Sequence, residues 1–277
     1  MVKQSLTRRA TAALLLLALL GLLAGCSAPA TRETPAAEVT IQPMTAPPVT
    51  PSATPEPTPE LPVETPDDPY APPGPCVGVE ADGTFSDKVL FIGDSLTASL
   101  ILNMRILGRL GAARYMAICT YSMQSFYGAP FLNDYSQTAY GMECSYEFYN
   151  LSYAQAVAQA GESVGAIYFM LGTNASREVT PELYFELMSY LRTCCPDAVI
   201  YAQTIPYSRW ELSDYESVNA TILRVVEDMR EMGDNNIYVL DTFQALGTEY
   251  MLDDGLHLSG EGLDVWYRLL ASDLAKD

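Results

Sequence analysis

Three short stretches carry residue types suited to acyl-transfer chemistry. "DDGLHLS" (253–259) contains His257, the only histidine in 277 residues. Asp254 precedes it by three positions, close enough in a loop to accept from Nδ1–H, fix the tautomer and leave Nε2 as a general base. Asp253 competes for the same role. "GDSLT" (93–97) contains Ser95. With a helix beginning near Leu96, Ser95 stands where open backbone N–H groups and the helix dipole favour developing negative charge. That makes it a candidate nucleophile, and equally a candidate helix cap. "LGTNAS" (171–176) contains Asn174, whose side-chain N–H could serve an oxyanion or a turn. Gly93, Asp94 and Gly172 would shape these turns.

Strands and helices must bring the three stretches together. Apolar runs recur as "KVLFIG" (88–93), "RYMAIC" (114–119), "AIYFML" (166–171), "AVIYAQT" (198–204) and "IYVLD" (237–241). They are continuous rather than alternating, as expected of strands covered on both faces. Helical stretches lie between them. "TPELYFELMSYLRTCCP" has Thr180 as a cap, Pro181 in the first turn and Pro196 as a stop. "SDYESVNATILRVVEDMREMGD" has Ser213 in cap position, Glu216 three residues on and Gly233 as a stop. A last helix is expected from about Glu261 to Ala271. Alternation of this kind predicts an α/β fold with a mostly parallel five-stranded sheet between helical layers. Chemistry then collects at the carboxyl ends of the strands, where Ser95, Asn174 and the Asp254–His257 loop fall.

"GDSL" after the first strand, "GTN" after the third and "DGLH" before the last helix resemble the SGNH, or GDSL-type, hydrolase family. The resemblance covers nearly all of 85–277. It implies a three-layer α/β/α sandwich of flavodoxin-like type and a serine esterase mechanism. Ser95 would be nucleophile, His257 general base and Asp254 its orienter. The implied oxyanion hole is the Ser95 N–H, the Asn174 side chain and a backbone N–H after the second strand. The family has glycine at that third place. Here the match is Thr120, and no glycine occurs between Gly111 and Gly128. Glycine allows positive φ and close substrate approach, so Thr120 is the departure that puts the third donor in question. A G-x-S-x-G elbow is not met, because Thr97 stands two residues after Ser95.

The N-terminal quarter reads differently. Lys3, Arg8 and Arg9 precede the apolar run "AALLLLALLGLL", and "LAGC" ends at Cys26. This resembles a bacterial lipoprotein signal (1–25) with lipid attachment at Cys26. Residues 26–75 hold most of the chain's 19 prolines and are expected to form a Pro/Thr/Glu-rich linker without regular structure. A single catalytic domain, 76–277, follows. The expected location is the outer face of a bacterial membrane, held there by lipid. The net charge of −19 argues against nucleic acid as partner. With one histidine and no C-x-x-C pattern, neither a metal nor another cofactor is expected. The cysteines at 194 and 195 read as small buried apolar residues at a helix end.

Tyrosine is dense after the second strand, and Tyr121, Tyr207 and Trp210 would rim the site. Aromatic rings with polar tips suit sugar rings. The expected substrate is therefore an ester-bearing glycan or small molecule, deacylated through an acyl-enzyme. Acyl transfer to a cell-surface glycan and non-catalytic glycan binding are the alternatives.

Overall fold

A computed structural model describes residue 72 and residues 76–128, 142–209 and 214–271. The chain divides into Met1–Pro62 and Val63–Asp277, and all described residues lie in the second unit. The signal-like segment, Cys26 and the Pro-rich linker fall outside the described residues, as does Trp210.

Six strands form one sheet: β1 Val89–Gly93, β2 Arg114–Ile118, β3 Met142–Cys144, β4 Ala166–Met170, β5 Val199–Gln203 and β6 Ile237–Leu240. Their order is β3-β2-β1-β4-β5-β6. The five expected runs all form strands and pair in parallel. The expected count of five is corrected by β3, which adds antiparallel to β2 at one edge. Three residues show no periodicity to read, and a short edge strand of that kind is one way to blunt a sheet edge. A bidentate pair between Arg105 and Glu143, at 2.7 and 2.6 Å, ties β3 to the helix after β1.

The helices are α1 Ser95–Ile106, α2 Tyr153–Ala160, α3 Pro181–Cys194, α4 Tyr215–Glu231, α5 Thr242–Ala245 and α6 Gly260–Ala271. Thr180 caps α3, accepting from Leu183 N–H, with Pro181 in the first turn. The cap of α4 is Asp214, which accepts from Ser217 N–H, and not the expected Ser213. Either residue type can cap, and only the observed turn selects between neighbours. At the end of α3 Cys195 is fully buried, while Cys194 is half-buried.

The strand register lines Phe91, Tyr168, Tyr201 and Tyr238 across one face of the sheet. Phe91 stacks on Tyr168 at 4.9 Å, and Tyr168 on Tyr201 at the same distance. Phe85 meets Phe91 and Tyr168 edge-on. On this face α6 is anchored by Trp266, whose Nε1–H donates to Gln203 Oε1 at 2.8 Å. The opposite face buries Phe169 against Tyr184 of α3 and Phe126. Large aromatic rings in offset and edge contacts make this a stiff platform. What it carries at its carboxyl end is held in register.

Candidate active site

α1 starts directly after β1, and the turn between them is set by two residues. Gly93 has no room for a side chain: an added Cβ would lie 1.9 Å from Thr97 Oγ1. Asp94 is the N-cap, with its Oδ1 accepting from Leu96 N–H at 3.1 Å. Ser95 is thereby the first helical residue, half-exposed, with its hydroxyl toward the C-terminal loop. After β4, Gly172 turns the chain at φ 135°, and a Cβ there would meet Val218 Cγ1 at 2.8 Å. Asn174 follows, and its Nδ2 donates to the Tyr121 carbonyl at 3.0 Å. An amide nitrogen carries two hydrogens, and this bond uses one of them.

The candidate acid and base, Asp254 and His257, come from the loop before α6. That loop closes on itself: Met251 bridges Leu258, and Leu252 N–H donates to the His257 carbonyl at 2.8 Å. Asp254 Oδ1 accepts from Leu256 N–H and His257 N–H, both at 2.9 Å. Its Oδ2 meets His257 Nδ1 at 2.8 Å. His257 Nε2 lies 3.2 Å from Ser95 Oγ. Partial burial of Asp254 opposes its charge, but these three hydrogen bonds and the imidazole's charge hold the carboxyl at about 2. Between Asp253 and Asp254, the sequence left the partner open; the structure selects Asp254. The row Asp254–His257–Ser95 can fix a tautomer, accept the serine proton and return it to a leaving group.

Thr120 follows β2, whose last residue is Ile118. It is exposed and has φ 65°. The left-handed conformation that glycine would adopt freely is therefore present, but on a β-branched residue. Such a conformation costs about 1–2 kcal/mol, and for this residue type it is an outlier. The strain lies at a candidate oxyanion donor, where strain tends to be retained for function. Thr120→Gly should relieve it while keeping the backbone. The expected gain is about 1 kcal/mol, because glycine's greater freedom in the unfolded chain offsets part of the relief. Thermal unfolding of the variant checks this, and a lower midpoint would contradict it.

Asp94 is fully buried, a feature not visible in the sequence. Its Oδ2 has no hydrogen-bond partner among the described residues. The Thr173 hydroxyl lies close enough to favour the charge but outside hydrogen-bond geometry. Burial raises the carboxyl from 3.8 to about 6, against the opposing pull of Leu96 N–H, Thr173 and His257. Between these two values the folded state keeps a proton that the unfolded chain has lost. Stability should thus fall as pH rises from about 4 to 6 and stay reduced above. Asp94→Asn keeps the cap acceptor without the charge. It should exceed wild type in stability by roughly 2–3 kcal/mol at pH 8. The gap should shrink below pH 6, and a pH-independent difference in unfolding free energy would rule the charge out as its cause.

Among the rim candidates, Tyr121 is half-buried with its ring edge-on to Tyr153 at 5.6 Å. Tyr207 belongs to the segment after β5 that grips the acid–base loop. Arg209 N–H donates to the Gly255 carbonyl at 2.8 Å, and Ser208 Oγ reaches the same oxygen at 3.4 Å. Sequence reasoning missed the rings beside it. Tyr207 meets Tyr215 at 5.1 Å, and Tyr215 stacks on the exposed Phe243 at 5.6 Å. These rings come from three elements, which is why no local pattern shows them. No group of His, Cys, Asp or Glu placed to hold a metal occurs among the described residues.

No protein-family model matches the chain, and no curated protein matches it. Solved structures do show likeness. A carbohydrate esterase family 3 protein from Talaromyces cellulolyticus is 14% identical at TM-score 0.46, covering 68% of this chain and 95% of its own. A GDSL-like lipase from Bacteroides thetaiotaomicron is 14% identical at TM-score 0.47, covering 68% and 88%. A family two carbohydrate esterase from Clostridium thermocellum, in complex with cellohexaose, is 20% identical at TM-score 0.44, covering 73% and 64%. The α/β/α architecture rests on the chain's own sheet and helices, and the chemistry on the geometry above.

Proposed function

We propose that the chain is a serine ester hydrolase of SGNH type acting through an acyl-enzyme. The observation that carries this is the hydrogen-bonded row of Asp254, His257 and Ser95, at 2.8 and 3.2 Å, at the carboxyl end of a parallel sheet. Ser95 Oγ attacks the ester carbonyl while His257 Nε2 takes its proton. The oxyanion is received by Ser95 N–H, Thr120 N–H and the second Asn174 amide hydrogen. His257 then protonates the departing alcohol. A water deprotonated by the same nitrogen releases the acid and restores Ser95. General base action contributes about 10²–10⁴-fold, and each oxyanion donor on the order of 10²–10³-fold.

The substrate read from the rim is a carbohydrate ester, with an acetyl group as the acyl part. Supporting this is the Tyr207–Tyr215–Phe243 row, beside the segment that holds the acid–base loop. The histidine side chain is 34% exposed and the Asp254 side chain 49%, so water reaches the site. That favours hydrolysis over acyl transfer to a glycan. In this reading the enzyme acts outside the cell, carried on the Pro-rich linker and anchored through lipid on Cys26.

Labelling with a fluorophosphonate tests the nucleophile. Wild type should label and Ser95→Ala should not; equal labelling of both sinks the proposal. With an acetylated oligosaccharide, free acetate alone is the expected product. Acetyl found on an acceptor glycan would assign the transferase instead. Cys26→Ser should move the protein from the membrane fraction to the soluble one, and an unchanged distribution would refute the anchor.

A further inference from the structure

Tyr153 lies in neither the nucleophile turn nor the acid–base loop, and the reaction above makes no use of it. It is the first residue of α2, capped by Ser152, which accepts from Gln155 N–H. The side chain is completely buried. Its hydroxyl donates to the Gly93 carbonyl at 2.5 Å and accepts from Ile118 N–H at 3.1 Å. Those groups belong to β1 and β2, whose last paired residues are Gly93 and Ala117. They are an amide and a carbonyl of the kind that otherwise bond directly across a parallel ladder. The phenolic oxygen stands between them at the point where the strands part.

What lies just beyond gives this position its meaning. Two residues after Gly93 comes Ser95, and two residues after Ile118 comes Thr120. The hydroxyl therefore spaces the backbone segments that carry two of the three oxyanion donors. The ring supports the third. It lies edge-on to Tyr121 at 5.6 Å, and the Tyr121 carbonyl holds Asn174 Nδ2 at 3.0 Å. Phe126 stacks on the same Tyr153 ring at 5.9 Å and fixes its tilt. Burial, with Asp94 nearby, pushes the phenol well above its ordinary value, so it remains a donor at every working pH.

We propose that Tyr153 is a positioning residue that sets the width of the oxyanion hole. This rests on the serine-hydrolase reading. A hole displaced by a fraction of an ångström still admits substrate but holds the developing oxyanion poorly. The loss should then fall on kcat and spare KM.

The test is Tyr153→Phe in the full chain, with p-nitrophenyl acetate and a fluorophosphonate as probes. The expected result is a fall in kcat of about 10–100-fold, since small misplacements near the reacting atoms cost on that scale. KM should stay within about twofold, and labelling of Ser95 should slow in proportion to kcat. Tyr184→Phe is the control. It removes an equally buried hydroxyl that has no hydrogen-bond partner among the described residues, and both rates should stay at wild-type values. A Tyr153→Phe protein with lowered thermal stability but wild-type kcat and labelling overturns the proposal. If that variant does not fold, the same rates are read with 4-aminophenylalanine at position 153. That group still donates to Gly93 but accepts poorly from Ile118 N–H. Lowered kcat with KM kept supports the proposal, and wild-type kcat overturns it. A wild-type protein that neither turns over the ester nor labels refutes the serine-hydrolase reading itself, a separate outcome.

Discussion

His257→Ala is expected to lower ester turnover by about 10⁴–10⁶-fold, more than the general-base factor alone, because the same imidazole also protonates the alcohol and deprotonates the water. The size follows from two facts. Nε2 is 3.2 Å from Ser95 Oγ, so the proposed base is already in hydrogen-bonding contact with the proposed nucleophile. No other histidine exists in the chain to substitute. The side chain is one-third exposed, so its removal leaves no buried cavity, and the unfolding midpoint should stay near that of wild type. Steady-state hydrolysis of a p-nitrophenyl ester gives the number. A loss of less than tenfold would mean that a different group accepts the serine proton.

Asp254→Asn should cost on the order of 10³–10⁴-fold in kcat. An amide at this position can donate to Nδ1, which places the ring proton on Nε2 and points a donor at Ser95 where an acceptor is required. Asp254 is held at about 2, so wild type keeps the carboxylate at any pH above that and loses it only as pH falls through it. Titration of Asp254 itself therefore contributes nothing to the deficit between pH 5 and pH 9. Asp253→Asn serves as the comparison, because the carboxylate on Nδ1 is that of Asp254. A pH–rate series on the three proteins settles the assignment. Equal losses in the two variants would shift the role from a single carboxylate to the charge of the pair.

Much of this was legible in the sequence because it is local. Five parallel strands show as unbroken apolar runs, since a strand covered on both faces needs no polar alternation. Ser95, Asn174 and His257 stand out because the carboxyl ends of such strands are where loops converge. What was not legible depends on partners distant in the chain. Tyr153 reads as one tyrosine among 18, and only the meeting of Gly93 with Ile118 gives its hydroxyl a purpose. Asp94 reads as a turn residue, and its complete burial follows from packing by several elements at once. Thr120 looked like a lost glycine. It is a threonine made to adopt glycine's backbone angle, which no residue type announces.

The acid–base loop has a bearing on how the protein comes into being. Ser95 and His257 are 162 residues apart, and β6 ends at Leu240, before the loop begins. In chain order, all six strands and Ser95 precede His257. On the serine-hydrolase reading, a molecule whose Asp254–His257 loop is not yet seated lacks the group that activates Ser95. On the same reading, the appearance of activity times the docking of α6 and of the loop before it.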